Sequence, residues 1–287
     1  VSMPGEMARI AAVVKPTCAV MTNIGVSHIE FMKTRENILK EKAHIADYIP
    51  VDGALFVNGD DDLLPTLKET LGGNVVTFGL GPTCDWRAYG LNEADKGTFF
   101  TCLSPAGEKT EVFVPRRRGA QRAQRLGRHG VARYLGVPAE DAVRAISAYK
   151  APAMRQQVVE AGGLLIIDDS YNASPDSMRS AIDVLSTRQV PGRKAAVLAD
   201  MLELGDFAHQ GHREVGEYAR SHGVELLVAV GPLSKEIAAG YGEGAVWFET
   251  NQQAIEYLKG TLRPGDALLV KGSRGMATDQ IVAALKE

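Results

Sequence analysis

Cysteine is scarce in this chain of 287 residues: there are three, Cys18, Cys84 and Cys102. An odd number with no C-x-x-C spacing indicates neither a disulfide framework nor a zinc site and best fits a reducing, cytoplasmic setting. Long apolar runs are missing too. No stretch approaches the roughly 18–20 residues of a membrane span, and no signal-peptide pattern opens the chain. Nor does either sign of charge dominate: 32 Lys and Arg stand against 35 Asp and Glu, a formal net charge of -3. That balance excludes a global field for nucleic acid or a membrane surface, so small-molecule partners are expected. There is no internal repeat, and the first residue is Val rather than Met, which we read as a fragment or processed chain.

What is present has the composition of a globular α/β protein, 45% hydrophobic and 23% charged. Four short apolar runs of buried-strand type stand in the C-terminal half: LLIIDD (164–169), AAVLAD (195–200), ELLVAV (225–230) and ALLVKG (267–272). Helix-compatible segments separate them, starting near Pro175, Phe207, Ser234 and Asn251, with a last helix from Met276 to the end. This alternation predicts a doubly wound parallel sheet, whose ligands bind at the carboxyl ends of the strands. The N-terminal half is more mixed. CAVMTNIG (18–25) and GALFVN (53–58) read as strands, 35–48 as a helix, and 98–103 with 111–114 as antiparallel edge strands. AYKAPAM (148–154) is the candidate boundary, giving domains 1–151 and 152–287.

Several stretches carry residues suited to chemistry. TNIGVSHIEFMKTRENILKEKAHI (22–45) places Asn23 and His28 in a loop leaving a strand and Lys42 on the next helix, where a phosphate or metal could be met; the plain alternative is an exposed His and a solvated Lys. Asp60, Asp61 and Asp62 follow a strand and read either as oxygen ligands for Mg²⁺ or as a turn and helix cap. In DDSYNASPDSM (168–178) two carboxylates and an Asn leave a buried strand, and Pro175 can open a helix capped by Ser174. His209 and His212 lie three apart but have no third ligand nearby in sequence. LVKGSRGM (269–276) sets Lys271 and Arg274 around Ser273, a candidate grip for carboxylate or phosphate.

Together MPGEMARIAAVVKPTCAVMTNIGVSHIE, IIDDSYNASPDSMRSAIDVL, VLADMLELGDFAHQGHREVG and LLVKGSRGM resemble the Mur ligases along nearly the whole chain. DDSYNASPDSM, DMLELG and KGSRGM favour the branch that adds D-alanyl-D-alanine to a UDP-N-acetylmuramoyl-tripeptide over the other Mur ligases and the folylpolyglutamate ligases. The resemblance implies a partial central ATPase domain followed by a Rossmann-like C-terminal domain. It also implies an ATP- and Mg²⁺-dependent amide synthesis through an acyl phosphate, in a cytoplasmic monomer. By the same resemblance His28 and Lys42, the latter carbamylated, are the catalytic and metal-binding positions. Asn23, Arg155, Asp169, Tyr171 and Asn172 meet the nucleotide, and Lys271, Ser273 and Arg274 the dipeptide. The family's UDP-sugar domain and P-loop are not in this chain, which has no G-x-x-x-x-G-K-[ST] string, so a truncated, inactive form is expected. A non-catalytic binding fragment is the alternative.

RRRGAQRAQRLGRHG (116–130) holds six arginines and no acid. Such a stretch can be a solvated face or a nucleic-acid arm. Here the resemblance calls for a string of the type G-x-H-N-x-x-N-A-L-A-A, with two asparagines at the adenine. Permitted codons for GAQRAQRLGRHG, read one base later, place both asparagines where that pattern wants them, so a local frameshift is expected. Residues 116–130 should then be irregular, because Gly127 and Gly130 cost on the order of 1 kcal/mol each in a helix.

Overall fold

A computed structural model describes residues 1–94, 97–115, 122–148 and 152–286. The chain divides by its contacts into two units, Val1–Lys150 and Ala151–Glu287. In the first, α1 (Glu6–Val14) precedes strand β1 (Cys18–Met21), the short α2 (Ile29–Met32) and α3 (Arg35–Ala43), which tightens into a 3₁₀ turn over His44–Tyr48. β2 (Ala54–Asn58), α4 (Leu67–Leu71) and β3 (Val75–Gly79) follow, then the long strands β4 (Trp86–Ala94), β5 (Gly97–Leu103) and β6 (Lys109–Pro115). The six strands lie in sequence order, β1 to β4 parallel and β4 to β6 antiparallel. The unbroken apolar run of β2 is what burial on both faces requires. Leu55 and Val57 pack with Ile38, Leu64 and Leu67 on one side. Ala54 and Phe56 pack with Phe78, Trp86 and Ile146 on the other. The first cluster belongs to the α3 and α4 face, the second to α5 (Arg122–Tyr134) and α6 (Ala139–Ala148).

The expectation of irregular backbone over residues 116–130 fails where the stretch is described, because α5 is helical from Arg122. Residues 116–121, and the side chains of 122–126 and 128, lie outside the described residues. The physical reason is close approach. A Cβ at Gly127 would stand 2.8 Å from Phe78 Cζ and one at Gly130 3.2 Å from Trp86 Cγ, so the glycines let the helix backbone rest on two aromatic rings. Tertiary packing of this kind outweighs intrinsic helix propensity. His129, fully buried beside them, lies edge-on to Trp86 at 5.8 Å, and among the described residues neither of its ring nitrogens has a hydrogen-bond partner.

The second unit is built on β7 (Gln157–Ala161), β8 (Leu164–Asp169), β9 (Lys194–Ala199), β10 (Leu226–Val230), β11 (Ala245–Phe248) and β12 (Ala267–Lys271). They are ordered β11-β10-β9-β12-β8-β7, all parallel except the antiparallel edge strand β7. Between them run α7 (Pro175–Ser186), α8 (Ala208–Ser221), α9 (Lys235–Tyr241) and α10 (Asn251–Thr261), with α11 (Asp279–Ala284) at the end. Ile166, Val197, Val228 and Leu268 face α10 and α11. The alternate residues Ile167, Leu198, Ala229 and Leu269 are also fully buried, on the opposite face. The last helix starts at Asp279 rather than Met276, because residues 274–276 form a 3₁₀ turn and Ala277 takes φ +49°.

Burial holds the His129 imidazole neutral, its pKa pushed below the usual histidine range with the Arg133 charge adding to the effect. As pH falls below about 6.5, the unfolded chain takes up a proton that the folded chain refuses, and stability declines. His129→Leu is expected to stabilise the protein by about 1 kcal/mol at neutral pH, since an unpartnered polar group is removed. It should also flatten the acid limb of a urea-melt series between roughly pH 8 and 5. An unchanged acid limb would refute the assignment.

Candidate functional site

In the first unit the loop leaving β1 is pinned by its neighbours through one residue. Ile24, 1% exposed, donates its N–H to Asp61 Oδ2 at 2.9 Å. Its carbonyl accepts from Arg35 Nε at 2.9 Å and Nη2 at 2.7 Å. Arg35 in turn grips both oxygens of Asp62, and the other oxygen of Asp61 accepts from the N–H groups of Leu63 and Leu64. Asp60 receives Leu80 N and Gly81 N. All three aspartates therefore bind their own chain, Asp61 as the cap of the turn that follows, Asp60 at the loop after β3 and Asp62 at Arg35. The clamp leaves Asn23 exposed and sets His28, in the left-handed conformation at φ +63°, at the start of α2.

Lys42 stands half-buried near the end of α3, a helix begun by Thr34, whose side chain accepts from Asn37 N. Burial pushes its ammonium pKa down, and the Asp61 charge opposes the shift. The adjoining Glu41 is buried and accepts from Gly5 N and Met7 N, 2.8 Å each, so one turn of α3 both carries Lys42 and caps α1. Among the described residues no group of three or more His, Cys, Asp or Glu could hold a metal ion.

In the second unit the strand ends converge because the register sets Lys271 beside Asp169. Lys271 Nζ lies 2.7 Å from Asp169 Oδ2 and donates to the Asn172 carbonyl at 2.7 Å. Expected at the dipeptide, Lys271 is only 3% exposed and engaged with its own chain. Burial is the largest influence on both partners, raising the carboxyl and lowering the ammonium, and each opposes the shift of the other. Asp169 Oδ1 accepts from Gln156 N at 3.1 Å, and Tyr171 N donates to Met154 O at 3.1 Å. Between those contacts Arg155 is presented, its guanidinium 4.0 Å above the exposed Tyr171 ring. Met154 and Gln156 on either side both have positive φ, +63° and +51°, a strained conformation for residues other than glycine. Asn172 is exposed, and its side chain accepts from Ala173 N.

Ser273 is buried, donating its N–H to Asp200 O and accepting from Leu202 N at 2.8 Å, whereas Arg274 is exposed and 3.7 Å from Asp279. The loop after β9 that supports Ser273 is itself held by His212, which is buried. Its Nε2 accepts from Met201 N at 2.8 Å, so the proton is on Nδ1, which donates to Ala208 O. This histidine is an anchor, a role its three-residue spacing from His209 does not reveal. The αL residues around Arg155 and the Ile24 clamp also have no sequence signal of their own.

Two α/β units with polar groups gathered at strand ends match the Mur ligase middle domain over residues 1–124 and the Mur ligase glutamate ligase domain over residues 154–274. The chain belongs to the Mur ligase family. Among its relatives, the UDP-N-acetylmuramoyl-tripeptide–D-alanyl-D-alanine ligase of Bacillus subtilis is 32% identical over 301 residues, covering 100% of this chain and 63% of the relative. The same-named Escherichia coli enzyme is 30% identical, with 99% and 63% covered. MurF from Acinetobacter baumannii superposes with a TM-score of 0.88 at 27% identity, over 100% of this chain and 63% of that one. MurF from Thermotoga maritima, in complex with ADP, gives 0.84 at 25%, over 99% and 65%. The chain thus spans a little under two thirds of these relatives.

Protonation of His212 would set a ring N–H against the Met201 N–H it now accepts, and burial already holds its pKa below the usual range. Between roughly pH 7.5 and 5 the hydrogen-exchange protection factor of the Met201 amide is expected to fall, with stability lost as pH drops. A protection factor independent of pH would contradict the anchor role.

Proposed function

We propose that this chain supplies the nucleotide- and dipeptide-handling part of an ATP-dependent amide ligase that adds D-alanyl-D-alanine to a UDP-N-acetylmuramoyl-tripeptide. In that reaction the tripeptide's terminal carboxylate takes the γ-phosphoryl group of ATP, releasing ADP. The amine of the dipeptide then attacks the acyl phosphate, forming the amide and releasing phosphate. Catalysis of such transfers is mainly positioning and charge stabilisation. In the second unit Arg155 meets phosphate, with Asp169, Tyr171 and Asn172 beside it. Arg274 offers a planar fork for the dipeptide carboxylate, supported by Ser273.

The observation that carries this reading is the exposed Arg155 guanidinium, presented 4.0 Å above the Tyr171 ring between the Gln156 N–Asp169 Oδ1 and Tyr171 N–Met154 O contacts. Lys42, half-buried in the first unit, is the residue suited to carbamylation. A neutral amine is what carbon dioxide requires: the amine nitrogen bonds to the carbon, one proton leaves, and a carbamate anion replaces a cation. His28 and that carbamate would hold Mg²⁺, which supplies charge neutralisation at the transferring phosphoryl group. The chain has no G-x-x-x-x-G-K-[ST] string, so by itself it is expected to bind ligands without turning over.

Calorimetry with ADP and with D-alanyl-D-alanine, and phosphate release with both substrates present, test this reading. Arg155→Ala should weaken ADP, and Arg274→Ala the dipeptide, by at least about tenfold, the scale of a charge-assisted contact. A ¹³C carbamate resonance should appear with labelled bicarbonate and vanish in Lys42→Ala. Absence of both ADP and dipeptide binding at about 1 mM would overturn the assignment. Phosphate release that needs both substrates would support the ligase and refute the inactivity of the chain alone.

A further inference from the structure

Lys271 is the most deeply placed cation of the second unit's strand-end cluster, and its two short contacts lead to the two sides of Arg155. One is to Asp169 Oδ2 at 2.7 Å. The other oxygen of that carboxylate accepts from Gln156 N at 3.1 Å, fixing the backbone just after Arg155. The second contact is to the Asn172 carbonyl at 2.7 Å, next to Tyr171. Tyr171 in turn binds the backbone just before Arg155 through its N–H to Met154 O, and carries the guanidinium on its ring at 4.0 Å.

Left-handed backbone at both residues flanking Arg155, neither of them glycine, is strained and persists only where surroundings enforce it. The contacts that enforce it at Met154 and Gln156 run to Tyr171 N and Asp169 Oδ1, and both of those groups belong to the segment Lys271 grips. Lys271 itself is 3% exposed, too enclosed to reach a ligand in this conformation.

We propose that Lys271 is a positioning residue: by holding Asp169 and the Asn172 carbonyl it maintains the strained 154–156 arch that presents Arg155 to the nucleotide. The effect on affinity rests on the reading above, in which Arg155 meets phosphate. The effect on the arch does not.

The test is a double-mutant cycle between Lys271→Met and Arg155→Ala, read by ADP calorimetry, alongside hydrogen exchange at the Gln156 and Tyr171 amides. Lys271→Met should weaken ADP about tenfold in the parent but less than about twofold when Arg155 is already alanine, the signature of one residue acting through another. It should also speed exchange at both amides by at least about tenfold. Because Lys271→Met strands a buried carboxylate, the Lys271→Met, Asp169→Asn pair is measured beside it. That pair removes both charges while keeping an oxygen for Gln156 N, and should restore protection at Gln156 but not at Tyr171. Equal ADP loss in both Arg155 backgrounds, or unchanged exchange at both amides, overturns the proposal. If Arg155→Ala leaves ADP affinity unaltered, or the parent binds no ADP, the nucleotide reading fails and the exchange rates alone decide the role of Lys271.

Discussion

Parallel strands buried on both faces leave a protein few places for polar chemistry. β2 in the first unit and β8, β9, β10 and β12 in the second are apolar along nearly their whole length and closed over by helices on each side. Backbone groups within them are paired, so charge can appear only where the strands stop. Thr22 to His28, Asp60 to Asp62, Asp168 to Asn172, Asp200 and Lys271 to Arg274 all lie within a few residues of a strand's carboxyl end. In each unit the double-sided core thus dictates where polar groups gather, while the loops decide which ones they are.

That constraint also governs what could be read in advance. LLIIDD, AAVLAD, ELLVAV and ALLVKG all form strands because an unbroken apolar run has no other comfortable conformation between turn signals. The two edge strands of the second unit escaped. β7 is half exposed along QVVEA, and β11 is four residues long with all four half-buried, so neither pattern stands out from a loop. α5 misled for the opposite reason. Its local preference is poor, and what makes it helical is the pair of aromatic rings on β3 and β4, far away in sequence.

The residue types at the strand ends can be read from sequence, but their postures cannot. Asn23, Arg155, Tyr171, Asn172 and Arg274 stand exposed, whereas Asp169, Lys271 and Ser273 are buried. Lys271 sits in the same string as Arg274 yet points inward, because the β8–β12 register brings it level with Asp169. Nothing in KGSRGM separates the two cations; only strand pairing does. His212, three residues from His209 with no third ligand nearby in sequence, holds a peptide N–H instead. Asp61 drew notice as one of three acids, although its work is to fix Ile24 and to hold a negative charge near Lys42.

The left-handed pair at Met154 and Gln156 bounds the mutational drift of the second unit from two directions. Glycine at either position would relax the backbone, yet it would also enlarge the set of conformations open to the unfolded chain and loosen the presentation of Arg155. A β-branched residue would aggravate the strain. Asn and Asp, which enter the left-handed region more readily than other side chains, are the replacements the backbone there accepts with least strain. A short surface segment is thus constrained by its backbone angles rather than by burial.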